Sequence, residues 1–168
     1  MNYAAIKKCD IANGEGVRVS LFVSGCTHHC KGCFQPETWN FDYGEPFDEA
    51  VENDILKALE PNYIAGITLL GGEPMEIENA KRLYPFIKRI RETYPSKNVW
   101  CYSGYLFEEL VNREECRNLL ALVDVLVDGE FVEEQKNISL KFRGSENQRI
   151  IDVQNSLKDN CVVSKKLT

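Results

Sequence analysis

Strand-like and helix-like periodicities alternate along this chain, and that alternation limits the fold more than any other feature. Val17, Val19, Leu21 and Val23 recur at every second position, as on a strand with one apolar face, while Arg18, Ser20 and Phe22 occupy the other. Phe47, Val51, Ile55 and Leu59 then recur every fourth position, the stripe of a buried helix face. Pro46 suits the first position of that helix, and Asp48 and Glu49 suit the positive end of its dipole. Ile67 to Leu70 reads as a short buried strand ended by Gly71-Gly72. Ala80, Leu83, Tyr84, Ile87 and Ile90 fit a helix that Pro85 is expected to kink or break. Asn98 to Tyr102 reads as a third strand, Leu106 to Leu122 as helix with a break near Asn112, and Val123 to Val127 as a fourth strand. Arg149 to Val153 is expected to form a last strand, and the polar stretch after it an extra helix or a loose end.

This pattern predicts βαβ units around a parallel sheet. At roughly 30 residues per unit the chain holds five or six of them, whereas a full eight-unit barrel needs about 250 residues. The expected fold is therefore α/β, an abbreviated partial (βα) barrel of about five to six parallel strands with an open mouth. Residues 1–153 would form the domain and residues 154–168 a C-terminal tail. In such architectures functional groups gather at the carboxyl ends of the strands. Four unusual segments stand there: the loop from Cys26 to Cys33, Gly71-Gly72-Glu73-Pro74, Tyr102-Ser103-Gly104 and Asp128-Gly129.

Cys26-Thr27-His28-His29-Cys30-Lys31-Gly32-Cys33 is a C-x3-C-x2-C array that lets three sulfurs of one short loop converge on a metal centre. Iron–sulfur cubanes take four thiolates when closed, so three leave one iron open, and an open position is what catalytic metals keep. Structural zinc with His28 or His29 as fourth ligand is an alternative. Thioredoxin-like use of Cys30 and Cys33 is another. A histidine inside so tight a loop closes a zinc tetrahedron poorly, and the redox reading leaves Cys26 unexplained. Seven cysteines is an odd number, which argues against a disulfide framework. Cys9, Cys101, Cys116 and Cys161 are scattered, and each is expected to be a small buried apolar residue.

The net charge of −6 and the absence of a long basic face argue against a nucleic-acid binder. Lys88, Arg89 and Arg91 read as a solvated helix face. No apolar run approaches the roughly 20 residues of a membrane span, and the start of the chain lacks a secretory pattern, so a cytoplasmic protein is expected.

Gly71-Gly72 suits close backbone approach to a ligand, with Glu73 and main-chain groups available to an ammonium. Asn13-Gly14 suits a hairpin turn. Arg18 alternates away from the apolar face, where an unpaired buried charge would be costly, so it is expected to meet a carboxylate from a ligand or another strand.

Together these residues resemble the radical S-adenosylmethionine superfamily, whose hallmark is C-x3-C-x2-C followed by Gly-Gly-Glu-Pro. Within it they look like the activating proteins of anaerobic ribonucleoside-triphosphate reductase. That likeness rests on Asp10 to Arg18, Phe22-Val23-Ser24-Gly25-Cys26, Pro36-Glu37-Thr38-Trp39, Val125 to Gly129 and Arg143-Gly144-Ser145. The resemblance implies a [4Fe–4S] cluster on Cys26, Cys30 and Cys33, with S-adenosylmethionine chelating the free iron through its amino and carboxylate groups. Gly32, Cys33, Phe34 and Gly72 match positions where the family contacts that cofactor. Gly71, Glu73, Ser103, Asp128 and Arg18 complete the candidate set. Where many superfamily members carry an aromatic residue just before the third cysteine, this chain has Gly32, with Phe34 beyond.

The implied reaction is reductive cleavage of the sulfonium to methionine and a 5′-deoxyadenosyl radical, which takes a hydrogen atom from a glycine of the reductase large subunit. A glycyl radical is delocalised into its two flanking peptide groups and a primary alkyl radical is not, so the transfer runs downhill. The resemblance also implies reduced flavodoxin or a similar electron donor, and a homodimer. Activases of other glycyl-radical enzymes, such as pyruvate formate-lyase, share Gly14 to Arg18 but are usually longer. A non-catalytic zinc-binding interaction module is the alternative from a different class.

Overall fold

In the computed structural model, which describes residues 1–168, the periodic segments form one mixed sheet with helices. The strands are β1 (Asn2–Asp10), β2 (Val17–Val23), β3 (Glu45–Pro46), β4 (Ile64–Gly71), β5 (Asn98–Ser103), β6 (Val125–Asp128) and β7 (Arg149–Asp152). The helices are α1 (Glu49–Leu59), α2 (Ile77–Thr93), α3 (Phe107–Leu110), α4 (Glu114–Leu120) and α5 (Val153–Asp159). The sheet order is β3-β1-β2-β4-β5-β6-β7.

The α/β class holds, but the count of five to six parallel strands does not. Only β2, β4, β5 and β6 run parallel; β1, β3 and β7 pair antiparallel with their neighbours, and the sheet is not closed. The connections explain the difference, because a parallel neighbour needs a long crossover, usually helical. Residues 11–16 between β1 and β2 are too few for one, and the chain turns straight back. Residues 129–148 between β6 and β7 hold only the short 3-10 turn Glu133–Gln135, and that connection also doubles back.

The alternation along β2 separates two environments. Val19, Leu21 and Val23 join Ile67, Leu69, Val99 and Leu126 on the face that α1, α2 and α4 cover with Ile55, Leu59, Leu83, Phe86, Ile87 and Leu119. Burying each such side chain stabilises the fold by about 2 kcal/mol relative to exposure. On the opposite face Trp100, Val125 and Val127 are covered by Phe142, Ile150 and Leu167.

Local features depart from expectation in three places. Pro46 lies in β3, and the cap of α1 is Asp48, whose carboxylate accepts the Val51 N–H at 3.0 Å. Pro85 does not interrupt α2. Leu83, Phe86, Ile87 and Ile90 bury the face on either side of it, and that burial outweighs the roughly 3 kcal/mol an internal proline costs. Cys101 and Cys116 are buried as expected, but Cys9 and Cys161 are exposed, one on the outermost long strand and one just beyond α5. The extra helix expected after the last strand is present as α5, and beyond it Ser164 bridges Ile151 and Thr168 donates to Glu15. The break near Asn112 is present, between α3 and α4.

Candidate metal and cofactor site

The cysteine loop leaves the carboxyl end of β2 under tight backbone constraint. Gly25, at φ +103°, donates its N–H to the Thr38 carbonyl at 2.7 Å, and its own carbonyl accepts from Glu73 N at 2.7 Å. A side chain at Gly25 would collide with the Phe41 ring. Thr27 donates its N–H (3.2 Å) and its hydroxyl (2.8 Å) to one oxygen of Glu76. His29 adopts a left-handed φ of 51° and stacks on Trp39 with ring centres 4.4 Å apart. Gly32, at φ +78°, turns the chain back, and Cys33 N bonds the Cys30 carbonyl at 3.1 Å.

Cys26 is buried and Cys30 and Cys33 are half-buried, all three as free thiols on the wall of one cavity of about 360 Å³. Burial pushes the Cys26 thiol up to about 11, with Glu73 and Glu76 adding repulsion; burial and Glu130 also raise Cys30. A metal that replaces those protons supplies the charge compensation the thiolates lack. No three His, Cys, Asp or Glu side chains gather closely enough for a single ion. Three soft sulfur donors spread over one cavity suit a cluster that offers each thiolate its own iron. Both ring nitrogens of His28 are turned to carboxylates, Nε2 to Glu73 and Nδ1 to Glu130, each at 2.8 Å, and neither is left for a metal beside the sulfurs.

The glycine pair at the end of β4 is required by packing. A Cβ on Gly71 would lie 2.6 Å from the Val23 backbone, and one on Gly72 would lie 2.7 Å from the Gly25 carbonyl and 2.9 Å from that of Thr38. Glycine thus lets the β4 end lie flat against the root of the cysteine loop. The fully buried Asn79 joins the same two segments, its amide donating to the carbonyls of Ser24 and Glu73 at 3.0 Å each.

Glu73 is buried, and its carboxylate is engaged inside the protein. One oxygen takes the Gly104 N–H at 2.7 Å and His28, and the other takes the Met75 N–H at 2.8 Å. Burial alone would lower the His28 pKa. The hydrogen bonds and charges of Glu73 and Glu130 outweigh it and raise the value to about 9, so the ring is cationic at neutral pH.

Of the residues singled out in sequence, Cys26, Cys30, Cys33, Phe34, Gly71, Gly72, Glu73 and Ser103 line the cavity. Gly32 serves the turn beside it. Asp128 is fully buried but faces elsewhere, accepting from Phe107 N at 2.8 Å and from Arg149 Nε at 2.9 Å; Gly129, Glu130 and Phe131 reach the cavity in its place. Arg18 meets no carboxylate. It donates to Thr68 Oγ1 (2.7 Å) and to the carbonyls of Ile67 (2.8 Å), Glu15 (3.0 Å) and Asn98 (3.4 Å), and lies over the Trp100 ring. Burial depresses its pKa to about 10. Thr68 passes the contact on by donating to the Asn13 carbonyl at 2.8 Å, and Asn13 lines the cavity. Sequence reasoning placed Tyr102 in a segment at this face but missed Glu130, Phe131 and Gln148 as lining residues, and considered His28 only as a zinc ligand.

Comparison with known proteins bears directly on this cavity. The family model of the 4Fe-4S single cluster domain matches residues 12–151. Over 152 residues the chain is 43% identical to the anaerobic ribonucleoside-triphosphate reductase-activating protein of Haemophilus influenzae, covering 89% of this chain and 97% of that one. The chain belongs to this activating-protein family. The protein of the same name from Pasteurella multocida is 45% identical (89% of this chain, 96% of that one), and the one from Enterobacteria phage T4 is 38% identical (89% and 93%). The family model is that of an iron–sulfur cluster domain, and Cys26, Cys30 and Cys33 line one cavity together. No helix is long and apolar enough to cross a membrane.

Proposed function

We propose that this chain is a radical S-adenosylmethionine enzyme that installs a glycyl radical on anaerobic ribonucleoside-triphosphate reductase. One observation carries the reading: three thiols and a glycine-walled backbone edge share a single cavity at the carboxyl ends of the parallel strands. Cys26, Cys30 and Cys33 would hold a [4Fe–4S] cluster by three of its irons. When bound, cluster and S-adenosylmethionine together supply one-electron cleavage of the sulfonium, and the 5′-deoxyadenosyl radical released takes a hydrogen atom from a glycine α-carbon of the reductase.

The residues of this chain bind, orient and shield. Gly71 and Gly72 seat the end of β4 flat against the root of the cysteine loop, and their main-chain groups on the cavity wall would meet the amino-acid end of the cofactor. Glu73, with its carboxylate engaged by Gly104, Met75 and His28, stiffens that edge. Phe34 and Ser103 line the same cavity and would contact the cofactor, while Phe131 tilts against Phe34 at a ring separation of 5.4 Å. The residues of the wall need no acid–base role, since the chemistry moves an electron and a hydrogen atom. A cytoplasmic setting, a flavodoxin-type electron donor and a homodimer accompany this reading.

The test is anaerobic incubation with S-adenosylmethionine, a one-electron reductant and the reductase large subunit. The expected products are methionine, 5′-deoxyadenosine and a glycyl-radical EPR doublet on the reductase. Cofactor cleavage without that doublet would overturn the choice of partner, and no cleavage by cluster-loaded protein would overturn the enzyme reading.

A further inference from the structure

His28 stands in the middle of the span between the first two cluster cysteines, yet its contacts lie on the other three parallel-strand loops. Nε2 bonds Glu73 beyond β4 and Nδ1 bonds Glu130 beyond β6, both at 2.8 Å. The ring edge meets Tyr105 beyond β5 at a centre separation of 4.4 Å, and a Cβ on Gly104 would come within 2.6 Å of Nε2. The His28 side chain is 8% exposed, so these contacts are made away from bulk water. No other side chain of the cysteine loop reaches all three of those segments.

We propose that His28 is the positioning residue of the cofactor cavity, tying the cysteine loop to the glycine-rich edge behind it and to the β6 loop in front. Its two hydrogen bonds set how far the cluster-bearing loop stands from the Gly71-Gly72 wall, and hence the width of the gap that receives the sulfonium ligand. This inference rests on the cluster and cofactor reading given above. Glu73 is locked by two backbone N–H groups, so the fixed side of the tether is rigid. Glu130 is 54% exposed and is the side that can be cut without disturbing the core.

The decisive comparison is Glu130→Gln against Glu130→Ala in cluster-loaded protein. Gln removes the charge but keeps an oxygen for the Nδ1 hydrogen bond; Ala removes both. The expected result is S-adenosylmethionine affinity within about twofold of the parent for Glu130→Gln. For Glu130→Ala a loss of about fivefold is expected, as for a partly exposed charged contact. His28→Asn, which cannot span both carboxylates, should lose about tenfold or more. Amide hydrogen exchange, which needs no cofactor and no turnover, should quicken in residues 27–31 and 129–134 for Glu130→Ala alone of the two Glu130 variants. Equal behaviour of the Gln and Ala variants would overturn the tether, as would unchanged exchange in Glu130→Ala. Parent protein that loads a cluster but never binds S-adenosylmethionine would overturn the enzyme reading instead, and the exchange measurement would still decide the tether.

Discussion

Breaking the Asp128–Arg149 pair from its two ends should give unequal losses. Asp128 is fully buried, whereas the Arg149 side chain is 37% exposed and also reaches Glu108 at 2.7 Å. Arg149→Met strands a carboxylate in the interior with the Phe107 N–H as its only remaining donor. Removing one partner of a buried ion pair costs about 3–5 kcal/mol, and the surviving N–H places this case near about 3. For a chain of this size that is a drop in Tm of roughly 6–12 °C. Asp128→Asn leaves Arg149 in contact with water and Glu108, and an amide oxygen still accepts from Phe107, so about 1 kcal/mol is expected. Adding Asp128→Asn to Arg149→Met should therefore restore about 1–2 kcal/mol, because it takes the uncompensated charge out of the interior. Thermal unfolding of the four cluster-loaded proteins at one scan rate measures all of these values. Equal losses in the single variants, or a double variant whose loss is their sum, would refute the reasoning.

Each of Cys26→Ala, Cys30→Ala and Cys33→Ala should abolish the brown chromophore and most bound iron; a variant with the full iron and sulfide complement would exclude that thiol as a ligand. Gly72→Ala forces a Cβ to 2.7 Å from the Gly25 carbonyl, so a loss of about 2 kcal/mol and reduced iron loading are expected by thermal unfolding and iron assay. Asp10 titrates below its ordinary value of 3.8: burial raises it, but hydrogen bonds from Ser20, Ala12 and Asn13 outweigh that. Its stabilisation is therefore complete above the unfolded-state value and is lost as pH falls through the lower folded value. Urea midpoints measured from about pH 5 down to about pH 2.5 should fall more steeply for the parent than for Asp10→Asn.

The regions legible in sequence are those where the signal is local. Strand β2 followed from alternation at Val17, Val19, Leu21 and Val23, and the two helices around Asn112 from a break in one apolar stripe. Strand direction is not a local property, since it depends on what the connection contains. Residues 11–16 and 129–148 lack a helix, and the two turned-back strands β1 and β7 follow from that. Strand β1 itself carries no alternation to read, with Lys7, Lys8 and Cys9 consecutive and exposed. At the cavity the cysteines were legible because sulfur chemistry and spacing coincide. Glu130 and Phe131 were not, because they stand in a long aperiodic segment that pairing of β6 with β5 brings across. Arg18 and Asp128 were seen as special residues, but most of their partners come from segments distant in sequence. A carbonyl set satisfied Arg18 where a carboxylate was expected, since backbone acceptors of β4 and β5 were within reach.

The two faces of the sheet are finished at different times in the life of the chain. Helices α1, α2 and α4 alternate in sequence with strands β2, β4, β5 and β6, so one side can collapse while synthesis proceeds. Trp100, Val125 and Val127 wait for Phe142, Ile150 and Leu167, every one of which follows them on the ribosome. Until those residues emerge, a patch containing a tryptophan stays wet and adhesive, and the nascent protein is most prone to self-association in that interval.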